Sequence, residues 1–345
     1  MDATKQSFRV FNFGKDEPSP TLNYNKQRSW IEWGYNNQYP DYLLDLYSYK
    51  GSGTHKAIIN RKVAMVAGQG FENGTPEDNE LVLKLEMDYE IYNGFAVEVI
   101  YANDGSIAEK NHVPYRMVRR GIENDDIQYP YYWVCTDWSN YRKADNKPQA
   151  IREWNPIVKT GRVLYYYTEY NPASEIYPVP YYSNETNWIE LDWEISNFHL
   201  NQAKRGYAMQ FVLNFATGIP TDEEMDDFAK NFKKQYQGTD GETMVLTWSD
   251  GGEQKPELIP ITLNDSDQRF LNLNEQLKQS IFIGHQVTSP ILFGLMVPGQ
   301  LGGKAELTEA LQIFQMTYVS PRQRVLESAF AEITGEQKTL KQYQM

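Results

Sequence analysis

The densest group of residues able to do chemistry is a run of carboxylates, Asp222, Glu223, Glu224, Asp226 and Asp227, within TDEEMDD. Two carboxylates facing each other across an aromatic cleft make a glycoside hydrolase, and 25 Tyr and 8 Trp supply rings in quantity. The run opens a stretch with helical spacing, however, where acidic side chains favour the positive end of the helix dipole. That accounts for it without catalysis. Four scattered His and the single Cys135 are too few for a zinc site and leave no intramolecular disulfide. His285, beside Gly284, reads as a buried and satisfied histidine, and Cys135 in YYWVC as a buried strand residue. GxxxxGK[ST], HExxH and GxSxG do not occur, so nucleotide-driven, zinc-peptidase and esterase chemistry lack their signatures. No catalytic residue, cofactor or metal is expected. An aromatic-rich carbohydrate-active enzyme, or a module binding carbohydrate or protein, remains as the alternative reading.

A second stretch has the opposite character. SPILFGLMVPGQLGGK, 289–304, sets large apolar residues among glycines and prolines between two helical segments. Chain-wide, 46 acidic against 33 basic side chains give a net charge of −13. Proteins that grip nucleic acid by neutralising phosphates are usually basic, so tight DNA binding is disfavoured while passage of DNA is not. No run of ~18 apolar residues and no charged-then-apolar leader is seen, so neither a membrane span nor a signal peptide is expected. The lone thiol fits assembly in a cytoplasm.

The elements that must position these residues follow from periodicity. A short helix is predicted at 39–47. Ile58, Ile59, Val63 and Val66 form a helical stripe over 54–67, closed by Gly68. Thr75 as N-cap, Pro76 at the first position and Asp78 in the first turn open a further helix with Leu81, Leu85 and Asp88, closed by Gly94. From Phe95 to Tyr182, FAVEVIY, YYWVC and RVLYYYTEY with the NDGS turn make a β-rich module. Leu191, Ile195, Phe198 and Gln202 mark a long helix reaching about Leu213. A compact strand–helix–strand unit comes next: QFVLNF, a capping box at Thr221 and Glu224 with Phe228, Phe232 and Tyr236 behind it, then ETMVLTW and PELIPI. Asn264 and Asp265 cap a second long helix, with Phe270, Leu273, Leu277 and Ile281, reaching about Val287. A third starts at Ala305 with Leu307, Leu311, Phe314 and Tyr318 on one side; Pro321 kinks it before Val325 and Ala329. The fold class is α+β.

In this order and spacing the chain resembles the portal protein of tailed bacteriophages, over roughly 54–330. IYNGFAVEVIYANDGSI, NFATGIPTDEEMDDF and above all LNDSDQRFLNLNEQLKQSIFIGHQVTSPILFG carry the resemblance; in the last, Val287, Thr288, Ser289 and Pro290 match the turn that follows a stem helix. The resemblance implies a portal fold: an N-terminal wing (1–186), stem helix 1 (187–211), a small α/β clip (212–263), stem helix 2 (264–288), an apolar tunnel loop (289–304), and a kinked helix with C-terminal wing (305–345). It implies a ring, usually of twelve subunits, at one capsid vertex, assembled in the host cytoplasm. Through it double-stranded DNA is packaged and ejected without sequence specificity. Partners would be the terminase motor, the head–tail adaptor and the major capsid protein or scaffold, with no membrane. Family members commonly continue well past the kinked helix, whereas this sequence has 15 residues after Phe330, so no crown is assigned.

Sites follow under that resemblance. Leu295, Met296, Val297, Gln300, Leu301, Gly302 and Gly303 would line the channel, offering phosphates neither charge nor strong hydrogen bonds, while Ile291, Leu292 and Phe293 either join them or pack on the core. Phe228, Phe232, Tyr236 and Trp248 would shape the clip interface. Lys204, Arg205 and Lys278 are the stem cations that could touch passing DNA, with Arg269 read as solvated or salt-bridged.

Overall fold

The computed structural model describes residues 22–23, 29–122, 131–172, 174, 176–204, 211–215, 221, 244–248, 257–260, 266–294 and 304–343. The chain divides into two compact units, residues 1–184 with 284–345, and residues 185–283.

The first unit begins with two short paired strands, β1 (Leu22–Asn23) and β2 (Glu32–Trp33). Helices α1 (Tyr39–Ser48), α2 (Gly53–Val66) and α3 (Pro76–Tyr92) follow, close to where periodicity puts them. Their starts are chemical. Ser52 caps α2, its Oγ accepting from the backbone N–H groups of Thr54 and His55 at 3.0 and 3.3 Å, and Thr75 caps α3 through the N–H of Asp78 at 3.1 Å, satisfying donors that a helix start leaves without partners.

The end of α3 differs from expectation. Its left-handed cap is Asn93, at φ 60°, and its side chain donates to the Val179 carbonyl at 3.0 Å. Gly94 instead opens the first long strand, because it lies where another backbone and a ring press close. A Cβ there would sit 2.5 Å from the Tyr115 ring and 2.7 Å from the Tyr167 carbonyl oxygen. Gly94→Ala is therefore expected to cost about 1–3 kcal/mol through overpacking, read as a lowered urea midpoint with an unchanged slope. An unshifted midpoint would show that the strand yields freely there.

The β-rich module is one six-stranded sheet of β3 (Gly94–Tyr101), β4 (Ile107–His112), β5 (Val118–Arg120), β6 (Tyr131–Val134), β7 (Gln149–Glu153) and β8 (Arg162–Thr168), in the order β4-β3-β8-β7-β6-β5. All neighbours are antiparallel except β7 and β8, which run parallel through the pairs Arg152–Val163 and Glu153–Leu164. The NDGS turn joins β3 to β4 with Gly105 at φ +82° and Asp104 accepting from the Ser106 N–H at 2.9 Å. Cys135 is buried but lies one residue past β6; burial pushes its thiol pKa up.

Many aromatic residues are internal. Trp33, fully buried, stacks on Tyr177 at 4.8 Å and meets Tyr115 edge-on at 5.7 Å, while Tyr115 stacks on Tyr166 at 4.7 Å. Arg119, also fully buried, donates to Asn37 Oδ1 at 2.7 Å and lies over the Trp138 ring. The high ring content thus goes in large part into the core of this unit.

The second unit holds α4 (Thr186–Lys204), a three-stranded sheet of β9 (Phe211–Phe215), β10 (Met244–Trp248) and β11 (Glu257–Pro260), and α5 (Ser266–Gly284). β9 is central, parallel to β10 and antiparallel to β11. The helix expected to run to Leu213 is described only as far as Lys204. Phe211 and Leu213 are strand residues, with Leu213 paired to Leu246 and Leu258. β-branched and aromatic content in FVLNF, with two partner strands to satisfy its backbone, overrides the helical period there. The α5 helix likewise ends at Gly284 rather than Val287, because Gln286 adopts φ 54°, which a right-handed helix cannot contain.

Back in the first unit, Pro290–Phe293 forms one 3-10 turn closed by Gly294 at φ 75°. Helix α6 (Lys304–Phe314) passes through a π-helical turn, Gln315–Val319, into α7 (Ser320–Thr334). Where a kink is expected at Pro321 the chain stays right-handed helical but changes helix type, with Pro321 in the first turn of α7 and the π turn just before it. That turn adds a residue and shifts the inward face by one position. Of the two inward residues expected after Pro321, Ala329 is buried and Val325 only half-buried, with Leu326, Phe330 and Ile333 completing the buried face.

Candidate functional site: the anchors of the apolar loop

The loop residues Leu295, Met296, Val297, Gln300, Leu301, Gly302 and Gly303 lie outside the described residues, as do Arg205, Phe228, Phe232, Tyr236, the capping-box residue Glu224 and the caps Asn264 and Asp265, while Thr221 is described and exposed. Trp248 ends β10. Lys204 at the end of α4 and Lys278 on α5 are exposed. What the structure does place is the set of contacts fixing both ends of the loop within the first unit.

On the entering side, Leu292 and Phe293 are 2% and 7% exposed, so this part of the apolar stretch packs on the core. Arg61 of α2 donates from Nε to the Leu292 carbonyl at 3.2 Å. Phe293 meets Phe314 of α6 edge-on at 5.5 Å, and Phe314 stacks on Tyr318 at 5.0 Å with planes 12° apart. A continuous ring column thus ties the start of the loop to the helix that follows it.

Just upstream, His285 is buried as its sequence setting suggests, but its partner is another histidine 230 positions away: His55 Nδ1 and His285 Nε2 lie 2.7 Å apart. One nitrogen must donate and the other accept, which two neutral rings in suitable tautomers satisfy. The Tyr182 ring stacks on His285 at 5.2 Å and meets His55 edge-on at 4.7 Å. Burial lowers both pKa values, that of His55 to about 3, and the nearby Lys62 charge adds to the effect.

On the leaving side, the π turn rests on a buried charge cluster missed by periodicity. Lys62 of α2, Glu86 and Glu90 of α3, and Arg322 of α7 are each under 5% exposed. Glu90 is the hub. Tyr318 donates to it at 2.6 Å, Arg322 Nη2 lies 3.3 Å away and Lys62 Nζ 3.6 Å. Arg322 also donates to the Tyr89 carbonyl at 3.0 Å and lies 3.6 Å over the Tyr89 ring, while the Lys62 ammonium sits 4.0 Å over that of Tyr318.

The two carboxyls diverge, as neighbouring titratable groups do when their surroundings differ. Burial raises Glu90, but Lys62, Arg322 and the Tyr318 hydroxyl together outweigh it, so its pKa is lowered and it is charged. Glu86 is raised well above the usual carboxylate range by burial, and neither of its oxygens has a hydrogen-bond partner; the Arg322 Nε lies 3.8 Å away. Burial therefore favours the neutral form of Glu86, the opposite direction to Glu90. Burial lowers Lys62 to about 8.

Nothing in this arrangement presents a reactive group to solvent: the histidines, the thiol and the cluster are all interior. Among the described residues no group of three or more His, Cys, Asp or Glu could hold a metal ion, and no helix is long and apolar enough to cross a membrane.

No protein-family model matches the chain, and no curated protein does. Solved structures do. A chain in the neck of an empty gene transfer agent particle, computed with C6 symmetry, is similar at a TM-score of 0.56 and 13% identity, covering 88% of this chain and 84% of that one. A chain in the virion of the native gene transfer agent particle is similar at 0.53 and 14% identity, covering 88% and 83%. An HK97-family phage portal protein from Corynebacterium diphtheriae scores 0.49 at 9% identity, covering 84% and 92%. The fold of this chain is therefore one found in the virion and neck of a gene transfer agent particle.

Proposed function

We propose that this chain is a portal subunit: a ring-forming, non-enzymatic protein at a capsid vertex through which DNA enters and leaves, and on which a terminase motor and a head–tail adaptor dock. The observation that carries the reading is likeness to neck and virion chains over 88% of this chain; another such neck structure was computed with C12 symmetry. In these terms 1–186 and 305–345 are wing and kinked helix, 187–211 and 264–288 the stems, 212–263 the clip and 289–304 the tunnel loop.

The physical chemistry supports a conduit rather than a clamp. Each basic contact to a phosphate adds counterion-release affinity, and a ring of them would brake sliding. A chain of net charge −13 avoids that. Its repulsion is screened beyond about 8 Å at physiological salt, so it keeps a duplex centred without acting further away. Apolar loop tips, Leu295 to Leu301, would add contact without a polar grip. The alternative reading, a carbohydrate-binding surface, loses much of its material, since Trp30, Trp33, Trp138, Tyr115 and Tyr177 are buried.

Light scattering and negative-stain images of the purified chain test the ring. About twelve chains of 40.1 kDa would give an annulus of roughly half a megadalton, whereas a uniform population of compact monomers with no annular particles even at high concentration would overturn the reading. Deleting 295–303 should leave particles that form but fill with DNA poorly or lose it. Normal filling and retention would remove the loop from the mechanism.

A further inference from the structure

We propose that Tyr318 and Glu90 form a latch that fixes the π-helical turn between α6 and α7, and with it the direction in which α6 presents its outer face. The inference stands on this helix alone and does not depend on the chain forming a ring. In the turn, the Ser320 N–H bonds the Gln315 carbonyl five residues back, so one residue more than an α-turn is accommodated. Such turns are rare and appear as single insertions, frequently at functional sites.

The turn is gripped from inside. Tyr318 is 5% exposed, and its hydroxyl donates to Glu90 Oε1 at 2.6 Å while Arg322, one turn on, faces the same carboxylate oxygen at 3.3 Å. Lys62 from α2 closes the third side, over the Tyr318 ring and 3.6 Å from Glu90. Two local bonds support the outer side: Thr317 Oγ1 donates to the Ile313 carbonyl at 2.8 Å and Gln315 Nε2 to that of Tyr343 at 2.7 Å.

The alternative register is visible in the side chains. Closing the turn as ordinary α-helix removes one residue of phase, about 100°. With α7 fixed by Leu326, Phe330 and Ile333, α6 would then rotate, turning Phe314 from the core and bringing Met316 towards it. Phe314 is now fully buried and Met316 76% exposed, as is Ile313 at 53%. The latch thus decides which apolar residues of α6 face outward. Pro321 is the rival cause, because a proline without an N–H clashes with the carbonyl four residues back and can impose a break unaided.

Amide hydrogen exchange on the full chain separates the two. Tyr318→Phe keeps the ring and its stacking but removes the latch hydroxyl, and Glu90→Gln removes the charge. In both, exchange at 315–320 should rise at least about tenfold, the scale of losing a buried hydrogen bond to a charged group; in Tyr318→Phe, which leaves the Lys62, Glu90 and Arg322 charges in place, α2 and α3 should hold their protection. Pro321→Ala should leave exchange at 315–320 slow. The proposal fails if Tyr318→Phe leaves these amides unchanged, if the increase spreads evenly through α2, α3 and α7, or if Pro321→Ala alone opens the turn.

Discussion

Replacing Arg322 by alanine should lower the unfolding free energy by about 3–5 kcal/mol, the cost of removing one partner from a buried ion pair. The guanidinium is 4% exposed, faces Glu90, donates to the Tyr89 backbone and covers the Tyr89 ring. Its loss strands the Glu90 charge with Lys62 alone, 3.6 Å away. Glu86→Gln should behave differently. Burial raises the Glu86 pKa well above the usual carboxylate range and so favours its neutral form, and exchange for a neutral amide of similar shape is expected to cost under about 1 kcal/mol. Urea unfolding of both variants beside the parent measures this. Equal losses would mean that Glu86 is ionised and the charge assignment wrong.

Acidification is the second large effect. A histidine whose folded pKa is depressed leaves the unfolded chain binding protons that the folded chain refuses, so stability falls as pH drops below the unfolded value of about 6.5 towards the folded one. For His55 that lower limit is about 3, and His285 shifts the same way. Between pH 7 and pH 5 His55 should remove about 2 kcal/mol, and His285 acts in the same direction. Glu86 acts in the opposite sense over this interval: with its folded pKa raised, its contribution is full at low pH and is lost as pH rises. The histidine effect is therefore cleanest in a Glu86→Gln background. Asp78, lowered to about 2 because hydrogen bonds and charge from Lys110 and Lys338 outweigh its burial, loses its contribution only below about pH 4. Unfolding midpoints at pH 7 and 5 should differ markedly in the parent and far less in a His55→Phe/His285→Phe variant. If the two proteins lose stability equally, the pair is not the source.

Sequence reasoning succeeded where one local rule decides an element. Thr75 is a cap because a hydroxyl sits where a helix start needs an acceptor, and the NDGS turn follows from the backbone freedom of Gly105; the equivalent cap Ser52 was not picked out. The strands of the second unit were legible from β-branched and aromatic runs. It failed where the deciding partner is distant. His285 pairs across 230 positions and Tyr318 reaches Glu90 across 228, separations to which no periodicity is sensitive. Charged residues are normally read as a solvated face, so Lys62, Glu86, Glu90 and Arg322 gave no core signal until their contacts with one another were visible. The π turn is hidden for a related reason: a one-residue shift in phase leaves Val325 and Leu326 equally plausible as inward positions. The loop anchors Leu292 and Phe293 were open between core and lumen because composition is the same for both.

The junction of β7 and β8 has a mechanical consequence. Among the described residues the trio β4-β3-β8 and the trio β7-β6-β5 are joined by only two paired strand residues on each side, with the Trp154 N–H donating to the Leu164 carbonyl at 2.8 Å just beyond them, so the plate has a fault line. It is spliced by side chains: Tyr132 against Tyr166 at 4.7 Å, the Trp154 indole donating to the Tyr101 hydroxyl at 3.1 Å, and Arg162 reaching Gln149 at 3.2 Å. Rings and long polar groups yield sooner than a ladder of amides, so strain applied to this plate should part it along that line, with each trio leaving intact.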